Sequence, residues 1–308
     1  EYDVPNFEPG AEVELHLGYG DTALTRLMVG RIVALAPSFP ASGTPTLTVR
    51  AVNRLSQLQR QQASEVFESM TDTAIAQSIA SDLDIPLRTA QGQESQEQQH
   101  DYVMMRNEYP ILFLLGRARR LGYDLYMERG EDEEPYLWFG PRAGTGTTYQ
   151  LTWGRSLIKF MPTLTLRNQV AKVVVKGWNP LASGDDRSVT GEATLQDLDR
   201  ELPDPQLLAS IDSALAQTHE VVVDDPIRTR EEANARALGI LQTLANDLIT
   251  AQGSTVGFPG LRAGGRLQID GVGPRFSGNY IITDVTHALS ASGYTTDFSA
   301  RLEGPRRG

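Results

Sequence analysis

The sequence predicts an α+β protein: β-rich segments at both ends, an α/β unit between them, and a helical insertion in the second β segment. Three patterns carry that expectation. The opening residues alternate apolar and polar side chains between joints rich in Gly and Pro. The middle interleaves two capped helical stripes with short strands. The chain then returns to alternation and closes on FSGNYIITDVTHALSASGYTTDFSARL (Phe276–Leu302), which reads as a hairpin.

In the first segment, AEVELHLGY alternates through Val13, Leu15 and Leu17 against Glu12, Glu14 and His16. LMVGRIVALAPSF follows, and TLTVRAVNRL alternates through Leu47, Val49 and Ala51. Together these read as an antiparallel meander with one wet face. In TDTAIAQSIASDLDIP, Thr71 is placed to cap a helix whose Ile75, Ile79 and Leu83 share a stripe, and Pro86 closes it. HDYVMMR is a strand. NEYPILFLLGRARRLGY is a second helix, with Asn107 as its expected cap and Pro110 in its first turn. Its buried face is Ile111, Leu114, Leu115 and Ala118, and Gly122 ends it. Arg117, Arg119 and Arg120 lie near its C-terminus, where the helix dipole favours cations. Strands YDLYMER and YLWFGP complete this middle unit.

Val170, Val173 and Val175 mark a further strand that needs a core. After GWNP comes a weakly helical stretch broken by Pro203 and Pro205. The strongest helix signal follows: Thr229 and Glu232 form a capping box, Ala233, Ala237, Ile240 or Leu241, Leu244 and Leu248 line one face, and Gly253 ends it. In the closing hairpin Tyr294, Thr296, Phe298, Ala300 and Leu302 face one side, with Thr295, Asp297, Ser299 and Arg301 on the other. The two terminal β segments share a plan, a strand pair joined by Gly-rich turns, without a tandem repeat of fixed period.

The chain has 308 residues, 40% hydrophobic and 22% charged, the make-up of a globular protein with a sizeable core. No apolar run reaches the about 18 residues of a membrane-spanning helix, so no membrane insertion is expected. The first residues have neither the basic flank nor the apolar centre of a signal peptide. The first residue is not Met, which suggests processing or a place within a longer chain. There is no Cys, which excludes disulfides, thiolate metal sites and cysteine nucleophiles. A net charge of −11 opposes nucleic-acid binding, and none is expected. The local cluster ERGEDEEP (Glu128–Pro135) reads as a solvated hairpin tip.

No pattern points to catalytic residues, a cofactor or a metal, so none is assigned. The glycines of GLRAGGRL and GVGPRFSG lack the following helix that a phosphate loop needs, and fit turns. His16, His100, His219 and His287 stand apart, without metal-ligand spacing. His287 in particular has no evident partner and reads as a hairpin residue bonded to backbone. Asp82 with Asp84, Asp185–Asp186 and Asp224–Asp225 are acid pairs, but adjacent strand residues point to opposite faces, whereas a glycosidase sets its carboxylates about 5–9 Å apart across a cleft. Trp138, Trp153 and Trp178 fall within or at the ends of strands, as core or interface anchors.

Two stretches carry a family resemblance. Gly253–Leu302 contains the turn Pro259–Gly264, the bend Gly271–Tyr280, the strand end Thr283–His287 and the return Tyr294–Thr296. It resembles the C-terminal signature of the phage late control protein D family. His100–Gly130 is similar to that family's middle motif, with departures at Pro110 and Gly116. The family includes VgrG-like central hubs of contractile injection systems and phage tails. The resemblance implies two tube-like β-barrels flanking the α/β domain: residues 1–58, 59–157, and 158–304 with the helical insertion at 180–252. It implies a homotrimer that adapts a hexameric inner tube to a threefold spike beside other baseplate components. It also implies assembly in the cytoplasm into a tail or injection particle. No spike pattern follows Leu302 and no lysozyme domain is inserted, so the spike is expected either as a separate protein or beyond the residues of this sequence. Gly264, Gly271, Gly273 and Gly278 are expected at barrel corners, and the last hairpin as a candidate edge that makes either interchain or core-closing pairing. A structural hub without catalysis is the leading expectation. The alternatives are a cell-wall polysaccharide-degrading enzyme, or a carbohydrate-binding module using the tryptophans.

Overall fold

The computed structural model describes residues 7–20, 24–129, 134–141, 147–179, 181–198, 205–223, 227 and 229–303. Its architecture is α+β, mostly sheet with few helices. The chain divides into two units: Glu1–Leu114 with Met127–Trp138, and Leu115–Tyr126 with Phe139–Gly308.

In the first unit, β1 (Glu12–Leu17), β2 (Thr25–Ser38) and β3 (Thr46–Val52) form the expected antiparallel meander. The register Val13↔Gly30, Leu15↔Met28 and Ile32↔Ala51 puts Val13, Leu15, Met28, Ile32 and Ala51 on one face. The other face carries Glu12, Glu14 and Arg31 beside Val29, and Arg26 pairs with Glu14 at 3.3 Å. Of these three strands only Gly30 and Ile32 are buried within the isolated chain.

β4 (Ala63–Met70) leads into α1 (Asp72–Asp82), whose cap is Thr71 as expected: its Oγ1 accepts the Ala74 N–H at 3.1 Å. A carboxylate from outside the helix also serves its first turn, Glu97 accepting the Thr73 N–H at 2.7 Å and the Thr73 hydroxyl at 2.6 Å. After β5 (Leu87–Arg88), β6 (His100–Glu108) pairs antiparallel with β4. α2 (Pro110–Leu121) begins at Pro110, and the carbonyl of Tyr109 takes the first helical N–H groups. The expected cap, Asn107, is still in β6, at φ +46° with its N–H donated to Ser64 Oγ. The strand simply runs two residues further than its apolar pattern. Gly122 ends α2 at φ +70°, where a side chain is strained. β7 (Asp124–Arg129) and β8 (Pro135–Gly140) follow, in the sheet order β5-β8-β7.

The second unit is built on β9 (Thr148–Thr152), β10 (Leu157–Leu164), β11 (Lys172–Trp178), β12 (Ser188–Thr194), α3 (Pro205–Leu215), β13 (His219–Val223), α4 (Arg230–Ala245), β14 (Ile249–Val256), β15 (Arg266–Asp270), β16 (Gly278–Ser290) and β17 (Gly293–Glu303). Six of these strands make one sheet in the order β10-β14-β17-β16-β15-β9. Its two edge strands are consecutive in sequence and bridged at Trp153–Leu157. Laid flat, the edges would stand about 24 Å apart. The link from Thr152 to Leu157 reaches at most about 17 Å, so the sheet must curl back on itself. Inside the curl lie Leu267, Ile269, Tyr280, Ile282, Phe298 and Leu302. The alternation expected for β17 holds at every position from Tyr294 to Leu302.

The stretch expected to be helical, 180–252, carries strands as well: β12 and β13 flank β11, which precedes it, in a three-stranded sheet against which α4 packs. Thr229 caps α4, accepting the Glu232 N–H at 3.1 Å. Thr229→Ala is expected to cost about 1 kcal/mol, read as a lower thermal midpoint. The helix ends at Ala245, not at Gly253. Gly253 lies in β14, and the Phe298 ring occupies the space its side chain would fill, with Cζ 2.3 Å from an added Cβ.

Candidate assembly interface

The signature stretch assembles around the loop that joins β14 to β15. The Gly257 N–H donates to the Tyr294 carbonyl (2.8 Å), the Phe258 N–H to Thr296 Oγ1 (2.8 Å), and the Gly264 N–H to the Ile282 carbonyl (2.8 Å). Phe258 meets Tyr149 edge-on at 4.7 Å, and Leu261 is fully buried. The loop is therefore a strap tied across the hairpin of β16 and β17. The four glycines expected at corners, Gly264, Gly271, Gly273 and Gly278, all have positive φ.

His287 is not isolated. Its Nε2 donates to the Leu261 carbonyl at 3.1 Å, and its Nδ1 faces the Tyr294 hydroxyl at 2.8 Å and Thr296 Oγ1 at 3.1 Å. Sequence spacing hides Leu261, 26 residues away, whereas Thr296 stands directly across the hairpin from His287. Burial holds this imidazole below its usual pKa, opposed by the bond to Leu261 and assisted by the charge of Arg262. Of the other histidines, His16 pairs with Glu14 at 2.7 Å and His100 with the buried Asp72 at 3.0 Å. Among the described residues no group of three or more His, Asp or Glu could hold a metal. Asp224–Asp225 and residues 130–133 of the acidic cluster lie outside the described residues, as do the side chains of Asp185 and Asp186.

The hairpin expected at the sheet edge lies inside the sheet. β14 takes the free ladder of β17 and β15 that of β16, so the edges fall to β9 and β10. At that seam Trp153, Ile158 and Val256 are 53%, 56% and 59% exposed, all within one ladder step of the Leu157 pairs. Trp153 is thus exposed at the seam, whereas Trp138 is buried in β8. Trp178 is exposed, with the Arg187 guanidinium 6.0 Å above its ring. A polar cleft of about 480 Å³ opens beside the ends of α2, α4 and β17. Two of its carboxylates are held in ion pairs, Asp124 by Arg301 (3.2 Å) and Glu303 by Arg266 (2.7 Å). Each of these pairs ties one element of the second unit to another.

The family model of the Alg8 N-terminal domain matches residues 3–291. The chain belongs to the Alg8 N-terminal domain family. No curated protein matches its sequence. This Alg8-family chain shares its fold with the 43 kDa tail protein of prophage MuSo2 from Shewanella oneidensis (TM-score 0.66, 14% identity, 90% of this chain and 79% of that one). It shares it also with a tail protein from Neisseria meningitidis MC58 (TM-score 0.66, 12% identity, 97% and 85%). A third likeness is to the E. coli c3393 protein, a component of the type VI secretion system with structural similarity to the T4 bacteriophage tail proteins gp27 and gp5 (TM-score 0.60, 13% identity, 97% and 67%). The chain thus has the fold of these tail proteins, in keeping with the resemblance carried by its C-terminal signature.

Proposed function

We propose that the chain is a structural, non-enzymatic subunit of the baseplate hub of a tail or contractile injection particle. The observation that carries this reading is the likeness to tail proteins along 90% or more of the chain. Three copies form a ring, and each supplies two tube-like barrels, one built on residues 1–58 and one on 158–304. A threefold ring of paired, similar faces can seat a sixfold tube on one side and a threefold spike on the other.

Two surfaces support the ring. In and beside the β1–β3 sheet, Leu15, Val33, Leu24 just before β2 and Phe39 just after it are exposed. The seam of β9 and β10 presents Trp153, Ile158 and Val256. Surfaces of this kind are ordinarily buried against partners. The purified chain is expected to run at about 100 kDa by light scattering, three times its 33.8 kDa mass. A strict monomer at high concentration, with no binding to tube protein, would count against the proposal.

A further inference from the structure

The strap between β14 and β15 is fastened at its tip by one titratable group. Thr296 is fully buried, and its Oγ1 accepts the Phe258 N–H at 2.8 Å. The hydroxyl hydrogen of Thr296 needs an acceptor of its own, and His287 Nδ1 stands 3.1 Å away. The Leu261 carbonyl can only accept, so the imidazole hydrogen sits on Nε2 and Nδ1 offers its lone pair to Thr296 and Tyr294. One neutral tautomer therefore satisfies the strap and the hairpin together.

We propose that His287 is an acid-sensitive latch: proton uptake at Nδ1 releases residues 257–265 from the hairpin of β16 and β17. A proton there removes the acceptor of the Thr296 hydroxyl, in a place water does not reach. The charged group facing the ring is Arg262 of the strap, which repels a second positive charge. The titratable group facing it is Tyr294 of β17, which can turn its hydroxyl to accept but cannot neutralise the charge. Among the described residues no carboxylate pairs with His287. The neutral form favours the closed strap above the ordinary histidine value of 6.5, and that contribution is lost as pH falls below it.

Hydrogen exchange of the full chain at pH about 7.5 and about 5, corrected for intrinsic rates, tests the latch. The Gly257, Phe258 and Leu261 amides are expected to exchange about tenfold faster at the lower pH, the effect of one buried hydrogen bond lost. The β10–β14 ladder serves as the unchanged control. His287→Gln removes the titration, so its strap exchange should not respond to pH. Arg262→Gln keeps the histidine and should move the response to higher pH. An unresponsive wild type, a response that persists in His287→Gln, or a response unmoved in Arg262→Gln overturns the latch.

Discussion

Phe298→Ala is expected to lower stability by about 4 kcal/mol, read from the denaturant midpoint of the second unit. The ring is buried at the middle of β17 and lies across Gly253 of the neighbouring strand. Because position 253 has no side chain, nothing on that strand can move into the space the ring leaves. The cavity term therefore adds in full to the lost transfer free energy. Phe298→Leu, which keeps most of the volume, should cost well under half as much. A loss below about 1 kcal/mol for the alanine variant would mean that the ring is not part of a close-packed curl.

Gly191→Ala is the second large effect, an expected loss of about 3 kcal/mol. A Cβ at 191 would stand 2.3 Å from the Ala233 carbonyl carbon and 2.4 Å from the Asn234 nitrogen, both backbone atoms of α4. A flexible side chain could swing away; a helix backbone can only lift off the sheet. Lifting also breaks the bond from the Glu192 N–H to Asn234 Oδ1, now 2.9 Å. A thermal midpoint unchanged from that of the wild type would show that α4 does not rest on β12 at this point.

Much of the fold is legible in the sequence where the rule is local. Thr71 and Thr229 announce their helices because a cap bonds within three residues. The alternation of β17 is readable because one face is buried along its whole length. The β14 strand is not readable: its inward residues Ile249, Ala251 and Gly253 shrink along the strand to admit Phe298 from β17, and only the pairing explains that choice. The same holds for the end of α4: Leu244 and Leu248 continue its stripe toward Gly253, past the true end at Ala245.

The candidate interface divides in the same way. The signature residues from Pro259 to Thr296 identify the region, but their purpose rests on contacts across tens of residues, such as His287 to Leu261. Strand order is equally non-local. The last hairpin carries the most regular pattern in the chain, yet β14 and β15 flank it and the edges belong to β9 and β10. The place of Trp153 at a strand end is readable in the sequence, whereas its position at the seam follows only from the curl of the sheet.

The most direct measurement is an electron-microscopic average of the purified chain viewed down its symmetry axis. A closed threefold ring with six similar lobes around its wall is expected, each chain supplying two. Single particles, open chains, or a ring in which the two β segments of each chain take unrelated places would contradict it.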